Sequence, residues 1–203
     1  MNVAIIDYGM GNIKSLIGAL NHVGVNDVIV TSDYVALKDA DKFILPGVGS
    51  FAKAMKVIKE KNLDIYLKEL VLVEKKPILG ICLGMQLMGL SSTEHGENSG
   101  LCFVDGVITR LNDHDVKVPH VGFNQVAVNE KAKIYYDMHG KIDFYFTHSF
   151  KMMSSYDINQ SSCSYGEEFI ASYEVKNIVG LQFHPELSQH NGLRLIKNFV
   201  EHF

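Results

Sequence analysis

Cysteine is scarce in this chain and never closely paired. Cys82, Cys102 and Cys163 are odd in number and widely spaced, with no Cys-x-x-Cys among them. That argues against a disulfide framework and a zinc site, and for a reducing compartment, the cytoplasm. His120, in Val-Pro-His-Val-Gly, has no second ligand at the third to fifth position after it, so no metal is expected there. No apolar run reaches membrane-spanning length, and the opening segment Met1 to Asp7 has neither a basic region nor a long apolar one. Neither a membrane span nor an export signal is expected. Charge of one sign is not in excess: 19 Lys and Arg stand against 23 Asp and Glu, a net charge of −4, with no dense basic block. Nothing electrostatic therefore favours nucleic acid or an anionic membrane, and small neutral or zwitterionic substrates fit better. Low-complexity linkers and repeats are missing too. What remains, 203 residues of which 47% are hydrophobic and 21% charged, suits one domain, 1–203, with a sizeable core.

Apolar strand-like runs alternate with helical ones through the first half. Val3 to Ile6 is followed by Asn12 to Val23, then Val28 to Val30, and Phe43 to Leu45 precedes Phe51 to Glu60 and Asp64 to Val73. Ile78 to Ile81 precedes Leu83 to Leu90. This alternation predicts an α/β fold, a mostly parallel central sheet with helices on both faces. From Phe103 onward the pattern is of strands joined by short turns, at Val104 to Leu111, Gln125 to Val128, Phe144 to Thr147, Ile170 to Val175 and Ile178 to Phe183. Lys176-Asn177 is placed for a hairpin, so an antiparallel extension is expected. Asn191 to His202 reads as a closing amphipathic helix.

One junction carries chemistry. The strand Ile78 to Ile81 runs directly into Gly80-x-Cys82-x-Gly84 and a helix-forming stretch, the pattern of a nucleophile elbow with sulfur in place of a hydroxyl. Small residues on both sides suit a strained strand-to-helix turn, and a helix N-terminus favours thiolate over thiol. A lone cysteine in an apolar run is also, commonly, a small core residue. The segment Gln182-Phe-His-Pro-Glu186 sharpens the choice. On an extended segment residues two apart share a side, so His184 and Glu186 can meet, giving Cys82 a base and the base an orienting carboxylate. Active sites in open α/β sheets lie at the carboxyl ends of the strands, where Cys82 falls.

Gly80-Ile-Cys-Leu-Gly-Met-Gln86 and Phe183-His-Pro-Glu186 resemble the two signature segments of class I, triad-type glutamine amidotransferases. Ile5-Ile-Asp-Tyr-Gly-Met-Gly-Asn12, Leu45-Pro-Gly-Val-Gly-Ser-Phe51, Val118-Pro-His-Val-Gly-Phe-Asn124 and Tyr145-Phe-Thr-His-Ser-Phe150 narrow this. They resemble the glutaminase subunits of imidazole glycerol phosphate synthase, and together the segments span nearly the whole chain. The resemblance implies the flavodoxin-like amidotransferase fold and the triad Cys82, His184 and Glu186, with no cofactor. It implies hydrolysis of L-glutamine to glutamate and ammonia. It also implies a heterodimer with a HisF-type cyclase subunit, a (β/α)8 barrel that receives the ammonia in histidine biosynthesis and forms imidazole glycerol phosphate and AICAR.

By the same resemblance, Pro46-Gly-Val-Gly49 is an oxyanion loop, with the N–H groups near Val48 and of Leu83 as donors. Gly47 and Gly49 would permit a peptide flip; on turn chemistry alone the loop is equally well a tight βα turn. Gln86, one helical turn after Cys82 and on its face, would hold the glutamine together with Glu94 and the backbone of His148, Ser149 and Phe150. His148 itself is expected to be structural. Residues near Asn12, Phe123 and the turn after Glu186 would meet the partner. Two positions depart from the family pattern: Phe123 stands where tryptophan is usual, and Leu187 where lysine is usual. Interface charges steer partner choice, so two alternatives stay open: a related subunit feeding ammonia to a surface-sugar amidination enzyme, and a Cys-His hydrolase on the same scaffold.

Overall fold

A computed structural model describes residues 1–203. Four short strands are apolar, apart from Lys42, because both their faces are covered: β1 (Val3–Ile6), β3 (Lys42–Leu45), β4 (Ile78–Ile81) and β13 (Ile178–Leu181) are buried at every position. With β2 (Val28–Thr31) they form the parallel half of a nine-stranded sheet, in the order β2-β1-β3-β4-β13. The sheet continues antiparallel through β12 (Glu167–Val175), β11 (Ser161–Tyr165), β8 (His120–Ala127) and β9 (Asp143–His148). Lys176, with φ +57°, and Asn177 close the tight hairpin between β12 and β13.

The helices divide between the faces. On one side α1 (Ile13–His22) and α6 (Gln189–His202) send Leu16, Leu20, Leu195, Ile196 and Phe199 into a core with Val3, Ile5 and Leu181. On the other, α2 (Tyr34–Asp39), α3 (Phe51–Glu60), α4 (Leu63–Leu67, prolonged by a π-helical turn over Lys68–Val73) and α5 (Leu83–Leu87) cover Ala4, Ile6, Phe43 and Leu45. Burial of each such large side chain stabilises the fold by roughly 1.5–3 kcal/mol. A second sheet, β10 (Phe150–Met153), β7 (Val107–Arg110), β5 (Ser91–Ser92) and β6 (Asn98–Ser99), stands beside the carboxyl end of β4.

Two expected bounds change, and one helix was not expected. The helix after Cys82 ends at Leu87 instead of Leu90, because Leu90 N–H is drawn to the carbonyl of Gly106 at 2.7 Å and a side chain at Gly89 would meet that oxygen. α2 is six residues long, too short to show a helical period, and is fixed by Asp33, whose carboxylate accepts from Ala36 N–H at 3.0 Å. β8 begins at His120, five residues before the run that predicted it.

Candidate active site

Cys82 sits at the turn from β4 to α5 with φ +50° and ψ −108°. For a residue with a Cβ this is a strained conformation, costing of order 1–3 kcal/mol. Its surroundings hold it there. Cys82 N–H donates to Leu181 O at 2.7 Å, locking the turn to β13. Gly80 and Gly84 supply room: a Cβ on Gly84 would lie 1.8 Å from Leu45 O, and one on Gly80 would meet Met85 N at 2.8 Å. The two small residues are thus needed for the close approach of α5 to β3 and β4, while the unusual φ falls on the cysteine itself.

The sulfur opens into a cleft of about 320 Å³ lined by Val48, Gly49, Leu83, Gln86, Glu94 and the segment Thr147 to Phe150, with Pro119 at one side. The Pro46-to-Gly49 loop is wedged against the elbow. A side chain on Gly47 would strike Tyr8 Oη at 2.6 Å and Leu83 Cβ at 2.7 Å, and the buried Tyr8 hydroxyl donates to Pro46 O at 2.5 Å. Gly49 has φ +104°, a conformation that glycine adopts freely. Leu83, first residue of α5, has a backbone N–H without an intrahelical acceptor. The loop and the start of α5 therefore share the wall beside the sulfur.

His184 and Glu186 come from the turn that leaves β13, the strand that runs parallel beside β4. The imidazole Nδ1–H donates to Glu186 Oε1 at 2.9 Å, and both side chains are buried. The expected reason was strand alternation; β13 in fact stops at Leu181, and Glu186 lies in a 3₁₀ turn over Pro185–Leu187 that curls its carboxylate back to the ring. Ser188 closes this turn, its hydroxyl donating to His184 O at 2.6 Å and accepting from Tyr145 N–H at 2.9 Å. Burial alone would lower the His184 pKa. The Cys82 sulfur and the Glu186 carboxylate beside the ring outweigh it and raise the imidazole to about 10. Nε2 is buried without a protein hydrogen-bond partner, as is Glu186 Oε2. With Nδ1 committed to Glu186, Nε2 is the atom that carries the mobile proton.

His148 lines the cleft but is fully committed elsewhere. Its Nδ1–H donates to Phe150 O at 2.8 Å, and its Nε2 accepts from His120 Nδ1–H at 3.1 Å. Burial holds it neutral, down to about 3, and lowers His120 to about 4. His120 is in turn stacked between Tyr165 and Phe146, at centroid distances of 3.9 and 4.8 Å. Neither ring is free to take a proton from Cys82, and no metal-binding cluster of His, Cys, Asp or Glu is present.

Gln86 is buried, one turn beyond Cys82, and its Nε2 donates to Phe150 O at 3.0 Å and to Gln182 Oε1 at 2.9 Å. Glu94 caps α3: Oε2 accepts from Phe51 N–H at 2.8 Å in place of the Ser50 side chain, which makes no cap bond. Ser149 lines the cleft with its carbonyl tied to Leu111 N–H at 2.9 Å.

The whole of this arrangement lies within residues 4–203, which match the family model "Glutamine amidotransferase class-I". The chain belongs to the class-I glutamine amidotransferases. This amidotransferase is 41% identical to the imidazole glycerol phosphate synthase subunit HisH 2 of Vibrio vulnificus, over 99% of this chain and 94% of that one. It is 42% identical to subunit HisH of Aquifex aeolicus, over 98% and 96%. Among solved structures it superimposes on a glutamine amidotransferase with a TM-score of 0.76 at 16% identity, covering 99% and 98% of the two chains. It superimposes on PurLQS from Thermotoga maritima with a TM-score of 0.73 at 18% identity, covering 98% and 97%. Those two likenesses speak for the fold.

Four residues of the amidotransferase's site were not singled out from the sequence. Thr147 lines the cleft through its pairing with Val121, and Pro119 as the residue just before β8, placements that no local pattern encodes. Tyr8 reaches the loop across 38 residues. Gln182 lies beside Cys82, and its only sequence signal was a polar residue at the end of an apolar strand, two before the histidine.

Proposed function

We propose that this amidotransferase is the glutaminase subunit of an imidazole glycerol phosphate synthase. In this reading it is one domain over residues 1–203, working in the cytoplasm and hydrolysing L-glutamine through Cys82, His184 and Glu186. The observation that carries the reading is the strained Cys82 facing a cleft that also presents Gln86 and the Val48–Gly49 loop, with the His184–Glu186 pair behind the sulfur. The cleft suits a substrate of glutamine's size, with apolar Val48, Leu83 and Phe150 along its length and polar groups at Gln86, Glu94 and Ser149.

The reaction is an acyl transfer in two halves. Cys82 thiolate attacks the side-chain amide carbon, and the charge that develops on the amide oxygen is met by backbone N–H groups near Val48 and of Leu83; one well-placed donor supplies roughly 3–4 kcal/mol. His184, held as the imidazolium by Glu186, delivers its Nε2 proton to the departing amine, and ammonia leaves. The now neutral Nε2 accepts a proton from water, which attacks the γ-glutamyl thioester; glutamate departs and the sulfur is restored as thiolate beside the imidazolium.

Ammonia released into bulk water would be protonated and lost, which favours a partner seated over the site. The rim supports this: Val48, Val121, Phe123 and Leu187 are large apolar residues left exposed at the loop, on β8 and after Glu186. The relatives named HisH are subunits of imidazole glycerol phosphate synthase, and a HisF-type (β/α)8 cyclase is the partner proposed here. Glutamate release by the purified chain, alone and with that cyclase, with and without the cyclase's nucleotide substrate, tests the proposal. Strong stimulation by cyclase plus nucleotide is expected; no glutaminase with any partner would overturn it. One observation favours a second acceptor. Leu187 is 40% exposed directly after the triad carboxylate, where relatives by pattern carry a lysine, and stimulation only by a sugar-amidinating synthase would select that reading.

A further inference from the structure

A thiolate at Cys82 needs donors, and the backbone supplies few. The helix that follows is five residues long, so the summed dipole behind the sulfur is that of little more than one turn. The carbonyl of Thr147, 3.8 Å from Sγ, accepts from a thiol and opposes a thiolate. His184 supplies positive charge from one side. The one remaining polar contact is Gln182 Nε2, also 3.8 Å from Sγ, on a side chain with no solvent exposure at all.

The direction of that amide follows from its neighbours. Phe150 O can only accept, so the Gln86 atom 3.0 Å away is its NH₂. The second hydrogen of this NH₂ points to Gln182 at 2.9 Å, so the Gln182 atom there is Oε1. The other end of the Gln182 amide, facing the sulfur, is therefore NH₂. A single backbone carbonyl thus sets two side-chain amides in series.

We propose that Gln182 is a positioning residue for the nucleophile: its buried amide, oriented by Gln86 and the Phe150 carbonyl, donates an N–H to Cys82 Sγ and favours the thiolate. Hydrogen bonding to the charged form of an acid stabilises that form, and a donor held in a buried site needs no reorganisation when charge appears. Because Gln86 lines the cleft, the same chain of amides joins the substrate's side of the pocket to the sulfur. The proposal rests on Cys82 being the nucleophile.

The test is alkylation of the full chain by iodoacetamide from about pH 5 to about pH 10, the span over which thiols and imidazoles ionise, with Cys82 followed by peptide mass spectrometry and exposed Cys102 as internal reference. In Gln182→Met the Cys82 rate at neutral pH should fall about tenfold, and the profile should move to higher pH by about one unit, while the alkaline plateau is kept. A merely structural role would alter melting and leave the profile in place. If the Gln182→Met profile superimposes on the wild-type one, the proposal is overturned and the nucleophile reading stands. If wild-type Cys82 itself reacts no differently from Cys102, the nucleophile reading falls and takes the proposal with it. Should Gln182→Met not fold, Gln86→Met serves: Gln86 has no contact with Sγ, so the same displacement can come only through the Gln182 amide, and an unmoved profile overturns the proposal.

Discussion

Two buried histidine regions flank the sulfur's cleft, and they behave in opposite ways. His184 faces a carboxylate at 2.9 Å and the sulfur, and its pKa rises to about 10; His148 faces a carbonyl and a second neutral imidazole, and its pKa falls to about 3. Both are equally hidden from water. Burial by itself always disfavours the imidazolium, so the partner decides which histidine holds a proton and which is fixed as a neutral strut. The difference between a catalytic and a structural histidine here lies in the company of the ring, the Cys82 sulfur and the Glu186 carboxylate, the latter delivered by a 3₁₀ turn.

The largest loss is expected at the sulfur. Cys82→Ala should abolish glutamate release from glutamine, while the partner's use of added ammonium salt persists; retained glutamine use would remove Cys82 from the mechanism. Glu186→Gln should make His184 resemble His148 more closely. Glutaminase kcat should drop by roughly 10²–10⁴, less than for Cys82→Ala, because the carboxylate orients and does not attack. Its loss also lowers the His184 pKa, so the alkaline limb of activity should move to lower pH. An unmoved limb would mean that Glu186 serves the turn alone.

A smaller effect is expected at the neutral pair. His148 and His120 are depressed to about 3 and about 4, whereas unfolded histidine titrates near pH 6.5. Below that the unfolded chain binds protons that the native pair refuses. Stability therefore falls with falling pH, by about 1.4 kcal/mol per unit for each histidine, until the native pKa values are reached. Urea unfolding of wild type and His148→Gln at several acid pH values should show a shallower fall in the variant. At the rim, Leu187→Lys should leave glutaminase of the isolated chain within about twofold. It should alter only the response to a partner and its salt dependence, measured as stimulation at low and high ionic strength.

How much of this was legible depended on how local the encoding was. The central parallel strands are buried on both faces and write themselves as apolar runs, Val3–Ile6 and Ile78–Ile81 among them, whereas β2 at the sheet's edge is only partly covered. The elbow showed as two glycines around a cysteine, with its physical reason partly misplaced: the glycines provide clearance, and the cysteine bears the positive φ. β11, Ser161–Tyr165, is rich in serine and carries little strand preference of its own; it exists because β12 and β8 pair with it. Likewise Gln182 looked like any polar residue ending a strand, since its partners Gln86 and Cys82 stand 96 and 100 residues away. Glu94, whose assignment came from resemblance, proves to be in the cleft wall for a reason absent from its own neighbourhood, the unmet N–H at the start of α3.

The clearance around the elbow limits how such a site can change. Side chains at Gly47, Gly80, Gly84 or Gly180 would meet, respectively, Tyr8 Oη, Met85 N, Leu45 O and the Tyr173 ring, all at 2.8 Å or less. The loop, the two central strands and the helix start thus interpenetrate like the wards of a lock, each shaped by atoms the others omit. Anyone grafting this chemistry onto another sheet, or a lineage drifting away from it, has to move all four pieces as one cassette, since even alanine at a single glycine leaves no position for its methyl group.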